Sequence, residues 1–242
     1  MLDVLEQPAE IGLRRRFQAC SHEADSSGQS GIPPQPSLGV SGTFVVVSIV
    51  ENRRVMTPTT RYPTRMDEFD SDYCRVVASA IDDDQQLVPD RILANLRNLE
   101  SIVQEFAVNQ LVHSLQTATR AERAGESIDV VVGALCHDMA KTLGNANHDA
   151  VAGEMVRPYL NDNAAWMVAH HQDFQGRHYY HVLGLDPEAR EQYRGHPAFD
   201  LTARFADDYD QLSFDPDYDS LPLEYFEPMV REVFSRTPST VL

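Results

Sequence analysis

An apolar segment that ends in a histidine–aspartate pair is the strongest constraint in this 242-residue sequence. The segment follows Asp129, continues as Val-Val-Val-Gly-Ala-Leu-Cys without a charged residue, and ends at His137 and Asp138. Such a stretch is typical of a buried helix, and a carboxylate at its end is strongly unfavourable unless a cation or good hydrogen bonds compensate it. A metal ion is the simplest compensation, because histidine and aspartate are both suitable ligands. We therefore expect a metal site at this point of the chain.

The distribution of the histidines supports that expectation. A His-Asp pair alone is weak evidence, because such pairs are common at helix ends. Here, however, six of the nine histidines fall within 45 positions: His137, His148, His170, His171, His178 and His181. His113 lies one predicted helix upstream. Because histidine is the commonest metal ligand, this clustering favours a metal site over a merely structural group of histidines.

Charge and composition argue against several other classes of protein. A formal net charge of -17 argues against a nucleic-acid-binding surface, which needs a basic patch to neutralise phosphates. No apolar run approaches the length that spans a bilayer, and the first residues lack the pattern of a signal peptide. The three cysteines, Cys20, Cys74 and Cys136, provide neither a disulfide framework nor a CxxC metal motif. We expect a soluble cytoplasmic protein that acts on a small molecule, without nucleic acid or membrane as a partner.

The first 65 residues differ in composition from the remainder. Residues 26–39 are rich in Ser, Gly and Pro, which is typical of a linker. Residues 44–50 are rich in valine and could form a short strand, but no partner strand is evident. We predict a disordered or loosely packed N-terminal extension at 1–65 and a helical metal-binding domain at 66–242.

From Pro89 onward the sequence has helical periodicity. Apolar residues recur at threes and fours from Ile92 to Phe106, which predicts an amphipathic helix over that range. The remaining helices are expected at about 109–124, 128–144, 147–160, 163–171, 187–193, 200–212 and 222–234. Gly125 is the expected stop of the second helix, and Asn147 the expected N-cap of the fourth. The prediction is an all-α domain without internal repeats.

Other candidate ligands have ordinary structural interpretations as well. His113 lies on an otherwise apolar helix face and His148 at a helix start, where a single histidine is more often structural than a ligand. His170 and His171 are adjacent and therefore diverge by about 100° in a helix. One of them is expected to be a ligand, and the other to support it or line a pocket. The acidic run at 207–210 would usually be solvated, although Asp207 and Asp210 share a helix face.

The order of these residues resembles the HD-domain superfamily of metal-dependent proteins, over about residues 90–236. The matching pattern, H…HD…H…H…D, is formed by His113, His137, Asp138, His148, His171 and Asp210. The segments 109–116, 170–176 and 209–222 more narrowly resemble the HD-domain oxygenase branch. That branch includes phosphonate-cleaving oxygenases and, more distantly, myo-inositol oxygenase, which hold a mixed-valent di-iron site with four histidines and two aspartates. The resemblance implies an HD-domain helical bundle.

The resemblance also implies a role for each matched residue. His113, His137 and Asp210 would hold one metal ion, while His148 and His171 would hold the other. Asp138 would bridge the two ions. The residues expected to meet the substrate are Lys141, His170 and Gln175, and Lys141 would also act in catalysis. The implied cofactor is a pair of iron ions (Fe2+/Fe3+), although another divalent metal suits the same ligands.

One departure from the branch concerns its substrate. The phosphonate-cleaving members carry a Tyr-x-x-Glu pair where this chain has Val103 and Phe106. Many also have Glu directly before the first histidine, where this chain has Val112. These differences argue against an aminophosphonate substrate, although not against the metal site.

Three functional classes follow from these residues. Two aspartates and four neutral histidines leave a charge of about +3 on an Fe(II)/Fe(III) pair, which favours an anionic or chelating substrate. We therefore expect a di-iron oxygenase that uses O2 to oxidise or cleave a small anionic or hydroxylated substrate. The alternative is a metal-dependent phosphohydrolase that acts on a phosphoester or nucleotide through the same ligands. A non-catalytic scaffold is the third class, but all six expected ligand positions are filled.

Overall fold

The computed structural model describes residues 62–239, and all regular secondary structure in this range is helical. The eight α-helices are α1 Ser71–Gln85, α2 Val88–Asn98, α3 Gln110–Arg123, α4 Ile128–Cys136, α5 His148–Val156, α6 Asp162–Gln175, α7 Phe199–Arg204 and α8 Leu223–Phe234. Short 3-10 turns join several of them, and a π-helical turn, Phe205–Asp210, continues from α7. The predicted all-α architecture is thus confirmed for the described residues.

Part of the predicted organisation lies outside the described residues. This applies to positions 1–61 of the predicted extension, including the linker at 26–39 and the possible strand at 44–50. Within the described range, no helix is long and apolar enough to cross a membrane.

Helix α4 forms the centre of the domain. Its side chains from Val130 to Cys136 are buried, and it packs against α3, α6 and α8. The pair α5 and α6 packs very closely at Gly153, where a Cβ atom would lie 2.5 Å from the Cβ of Ala169. This close contact requires glycine at position 153. The apolar segment that precedes His137 is therefore the core helix, and its C-terminal end opens onto the space between α3, α5 and α6.

The helices that flank α4 begin and end at residues suited to those positions. The Asn109 side chain accepts a hydrogen bond from the Val112 N–H at the start of α3, and Asn161 does the same for Ala164 at the start of α6. After α3, Gly125 has a φ of 76°, a conformation that glycine adopts without strain. These ends fix the position of α3, which carries His113, and of α6, which carries His171.

Several predicted boundaries are wrong. The helix expected through Phe106 ends at Asn98, and after a 3-10 turn the chain has positive φ at Gln104 and Glu105. Val103 and Phe106 are exposed, so the apolar periodicity there does not describe a buried helix face. Helix α1 was not predicted, because none of its residues is buried and its sequence lacks a strong apolar stripe.

The segments around the histidine–aspartate pair also differ from the prediction. Helix α4 ends at Cys136 instead of continuing towards 144, and Asp138 has φ -101° and ψ 3° before a 3-10 turn, Met139–Thr142. Asn147 does flank α5, but its side chain makes no capping hydrogen bond. The helix expected at 200–212 consists of α7 and the π-helical turn, and that at 187–193 is a 3-10 turn, Ala189–Tyr193.

Candidate metal centre

Five structural elements bring six buried His and Asp side chains together between α3, α5 and α6. The contributors are α3, the turn after α4, the first residue of α5, α6 and the last residue of the π-helical turn. The six residues, here called the metal cluster, are His113, His137, Asp138, His148, His171 and Asp210. Each of them is at most 4% exposed. These are the six residues to which the resemblance assigns ligand roles.

Asp138 lies in the middle of the metal cluster, and its two carboxylate oxygens face different histidines. Oδ2 lies 3.5 Å from Nε2 of His113 and 3.4 Å from Nε2 of His137. Oδ1 lies 3.0 Å from Nε2 of His148 and 3.5 Å from Nε2 of His171. One carboxylate therefore joins two pairs of imidazoles, as a bridging ligand between two ions would.

Asp210 completes one side of the metal cluster. Its Oδ1 lies 3.1 Å from Nε2 of His113 and 3.6 Å from Nε2 of His137. The donor atoms of these three residues lie within 4.8 Å of one another, and so do those of a second trio, His137, Asp138 and His171. Both trios consist of buried groups and could hold a metal ion.

The four imidazoles of the metal cluster all turn the same ring nitrogen towards the backbone. In each ring, Nδ1 lies at hydrogen-bonding distance from a backbone carbonyl and Nε2 faces the other members of the cluster. The carbonyl oxygens are those of Ser213 (2.9 Å, His113), Ala134 (2.7 Å, His137), Asn145 (3.0 Å, His148) and Val168 (2.8 Å, His171). In the neutral imidazole, Nδ1–H donates to that carbonyl and leaves the Nε2 lone pair available to a metal.

This orientation leaves several buried acceptors without donors. Nε2 of His113 lies 3.1 Å from Nε2 of His137, although neither nitrogen carries a hydrogen in the tautomer that the carbonyls select. For the same reason, the 3.0 Å approach of His148 Nε2 to Asp138 is not a hydrogen bond, and both atoms lack a partner, as do both oxygens of Asp210. Unpaired buried acceptors are costly, and metal cations bound among them would satisfy them. The residues present therefore fit a metal centre.

The electrostatics of the metal cluster show how strongly it requires positive charge. Burial would raise the pKa of Asp138, but His137 and Lys141 outweigh it and hold that pKa well below its usual range. The pKa of Asp210 is likewise lowered by His137 and His113 against the effect of burial. For His137, burial lowers the pKa, while the two carboxylates raise it to about 10. The two aspartates therefore favour a positive charge at Nε2 of His137, which is either a proton or, on the neutral imidazole described above, a metal ion.

His171 differs from His137 in this respect. Burial is the largest influence on its imidazole and lowers its pKa, a shift that the nearby Asp138 only partly opposes. His171 is therefore neutral at neutral pH, which is the form that binds a metal.

The three residues expected to meet the substrate occupy different places. Lys141 touches the metal cluster: its Nζ lies 2.6 Å from Oδ2 of Asp138, and its side chain is only 13% exposed. Nδ1 of His170 lies 2.9 Å from the carbonyl oxygen of Trp166, and its ring stacks on the indole of Trp166 at 4.0 Å. Gln175 is the last residue of α6 and is half-buried. Of the three, Lys141 is the one with a direct contact to the cluster.

Sequence reasoning missed the residues that hold His113 from outside the metal cluster. The ring of Phe214 stacks on His113 with centroids 4.3 Å apart, and the preceding residue, Ser213, supplies the carbonyl that faces Nδ1. The buried Gln116 side chain holds this segment, because its Nε2 donates to the Asp215 carbonyl (2.6 Å) and its Oε1 accepts from the Asp215 N–H (3.3 Å). The available signal was the i,i+3 spacing of Gln116 and His113 on one helix face.

The comparison with known families agrees with this geometry. Residues 111–215 match the family model of the HD domain, and all six residues of the metal cluster lie within the match. No curated protein matches the chain. The matched segment is therefore similar to the HD domain and contains the buried groups that could hold a metal ion, and the match does not distinguish oxygenases from phosphohydrolases.

Proposed function

We propose that this protein is an HD-domain di-iron oxygenase that oxidises or cleaves a small anionic or hydroxylated substrate with O2. The observation that carries the proposal is the central position of Asp138, whose two oxygens face two separate pairs of histidines. A mononuclear site would not need a carboxylate placed between two imidazole pairs. The four-histidine, two-aspartate composition supports the oxygenase branch by analogy.

In this proposal each member of the metal cluster is a ligand. His113, His137 and Asp210 would hold one iron ion, His148 and His171 would hold the other, and Asp138 would contribute to both. When bound, the two ions (Fe2+/Fe3+) would supply the redox chemistry and activation of O2 that amino-acid side chains lack. The six protein ligands leave coordination positions for the substrate and O2.

The chain's own residues then have three tasks. Backbone carbonyls fix the imidazole orientations, so that the Nε2 lone pairs do not have to reorganise when a metal binds. Burial of the cluster excludes water, which strengthens every electrostatic interaction inside it. Lys141 places a positive charge beside Asp138, where it favours an anionic substrate group. We further propose that His170 and Gln175 line the substrate side of α6, and that Lys141 acts in catalysis.

A phosphohydrolase is the second candidate, and the position of Lys141 suits its substrate as well. An ammonium group 2.6 Å from a proposed bridging carboxylate is well placed to meet the phosphate of a phosphoester or nucleotide. In that reaction one or two divalent metals would lower the pKa of water and provide the nucleophile. Both candidates use the same ligands, so the identity of the metal decides between them.

Metal analysis combined with EPR tests the proposal. The protein is purified without oxygen, its metal content is measured, and spectra are recorded after partial oxidation. We expect two irons per chain and a mixed-valent signal that shifts when small hydroxy-phosphonates or polyols are added. Zinc or manganese without such a signal, together with turnover of a phosphoester panel, would instead assign the hydrolase.

A further inference from the structure

We propose that Gln110, a buried neutral amide beside Lys141, makes the proposed metal centre selective for an anionic substrate. The inference rests on the function proposed above and specifies its substrate class. Gln110 is the first residue of α3 and is fully buried. Its Oε1 accepts a hydrogen bond from Nζ of Lys141 (3.2 Å), the same ammonium group that contacts Asp138.

Gln110 is part of a row of side-chain amides that lies between Lys141 and the segment before His148. Its Nε2 lies 3.4 Å from Oε1 of Gln104, and Nε2 of Gln104 donates to Oδ1 of Asn145 at 3.2 Å. The backbone carbonyl of Asn145 faces Nδ1 of His148. We call Gln104, Gln110 and Asn145 the amide wall. Because Gln104 is exposed and Gln110 is buried, the amide wall extends from the protein surface to Lys141, which contacts Asp138 of the metal cluster.

The charge of the amide wall is the important property. The chain carries a net charge of -17, yet the α3 side chain that faces Lys141 is a neutral amide and not a carboxylate. A carboxylate at position 110 would lie within reach of Nζ of Lys141 and would neutralise it. The neutral amide instead holds the ammonium group by a hydrogen bond and leaves its positive charge uncompensated on that side.

Metal binding would make the positive charge of Lys141 available to the substrate. Asp138 now compensates Lys141, but a carboxylate that is shared with two metal ions has less negative charge to offer an ammonium group. Lys141 then needs another anion, and a phosphonate, phosphate or carboxylate group can accept its hydrogen bonds. A neutral polyol gains little from the same cation. The geometry therefore points to a small anion as the substrate class.

Isosteric variants of Gln110 test this inference, with the protein reconstituted anaerobically with Fe2+ and methylphosphonate as the probe. Gln110→Glu adds one negative charge facing Lys141. The matched control, Asn109→Asp, adds the same charge one residue earlier, where the side chain caps the Val112 N–H instead. Affinity for methylphosphonate is measured by calorimetry, and the iron content of every variant is measured in parallel.

We expect methylphosphonate to bind the wild-type protein and Gln110→Glu to weaken that binding by at least about tenfold. Asn109→Asp should change it by less than about threefold, and both variants should retain their iron. A third variant, Gln110→Met, removes the amide without adding charge and should remain closer to wild type than Gln110→Glu. It also keeps the test informative if the glutamate variant does not fold.

Three outcomes would overturn the inference while leaving the metal centre in place. They are iron-loaded wild-type protein that does not bind methylphosphonate, equal losses in Gln110→Glu and Asn109→Asp, and a loss in Gln110→Met as large as that in Gln110→Glu. If the wild-type protein takes up no metal, the proposed function itself is wrong and the inference fails with it. Metal content therefore separates the two failures.

Discussion

At the scale of single residues, two adjacent histidines in α6 have different surroundings. Nε2 of His171 lies 3.5 Å from Oδ1 of Asp138, whereas the ring of His170 stacks on Trp166. We expect His171→Ala to lose at least one metal ion per chain and His170→Ala to retain both. Metal analysis after anaerobic reconstitution measures the difference, and circular dichroism verifies that each variant is folded. The reverse pattern would transfer the ligand role to His170.

A second residue-scale prediction concerns Gln116, which does not touch the proposed ions. Its amide holds Asp215, and the same segment supplies the Ser213 carbonyl and the Phe214 ring that orient His113. Loss of such an outer contact typically lowers metal affinity about 10–100-fold. We expect Gln116→Met to weaken binding of one of the two ions by this amount, measured by titration with Co2+ and its visible absorption.

Thr119→Val provides the matched control for Gln116→Met. In the wild-type protein the hydroxyl oxygen of Thr119 also connects α3 to the segment after Asp210, because it accepts a hydrogen bond from the Leu221 N–H (2.9 Å). That contact lies far along the segment from Ser213. The variant should lose stability but keep the wild-type affinity for Co2+. Equal loss of affinity in both variants would mean that Gln116 acts through general stability rather than by positioning His113.

At the scale of secondary structure elements, the close packing of α5 and α6 sets the distance between His148 and His171. A Cβ atom at Gly153 would lie 2.5 Å from the Cβ and 2.7 Å from the Cα of Ala169, so the two helices would have to separate. We expect Gly153→Ala to lower the free energy of unfolding by about 1–3 kcal/mol, measured by urea denaturation of the metal-free protein. In Gly144→Ala, the added methyl group meets no atom within 4 Å, and stability should change little. Equal stability of the two variants would contradict the close packing.

The elements also show what sequence patterns can and cannot predict. Helices α3, α4, α6 and α8 were located because each has a run of apolar residues at helical spacing, and Gly125 marks one end clearly. The helix predicted through Phe106 was wrong after Asn98, because the course of residues 102–109 depends on contacts with distant parts of the chain. Examples are the bond from Gln104 to Asn145 and the stacking of Phe106 on Phe214. Apolar periodicity contains no information about such contacts.

The residues of the candidate site were likewise predicted only in part. The order of histidines and aspartates suggested six residues, and the structure brings all six together. The residues around them, such as Gln110 and Ser213, were not suggested. Their roles arise from pairings across 31 positions (Gln110 with Lys141) and 100 positions (His113 with Ser213). Only the folded chain reveals these pairings.

At the scale of the whole molecule, the metal cluster joins five elements that are distant from one another in the sequence. An ion that binds the folded state and not the unfolded chain stabilises the fold by about 4 kcal/mol when it is present at about 1,000 times its Kd. For a domain of this size, that corresponds to a rise in Tm of about 10 °C. We therefore expect removal of the metal with a chelator to lower the Tm of the wild-type protein by about this amount, as measured by calorimetry.

Alanine variants of two buried aspartates distinguish stabilisation by the metal from ordinary loss of stability. Asp138→Ala removes the proposed bridge, so its Tm should be the same with and without the chelator. Asp129 is also buried, but it pairs with Arg236 (2.7 Å) and accepts hydrogen bonds from Asn161, away from the metal cluster. Asp129→Ala should therefore melt at a lower temperature than wild type yet keep the full response to the chelator. If Asp138→Ala kept that response, the ions would be held without Asp138, and the two halves of the cluster would be independent sites rather than one bridged centre.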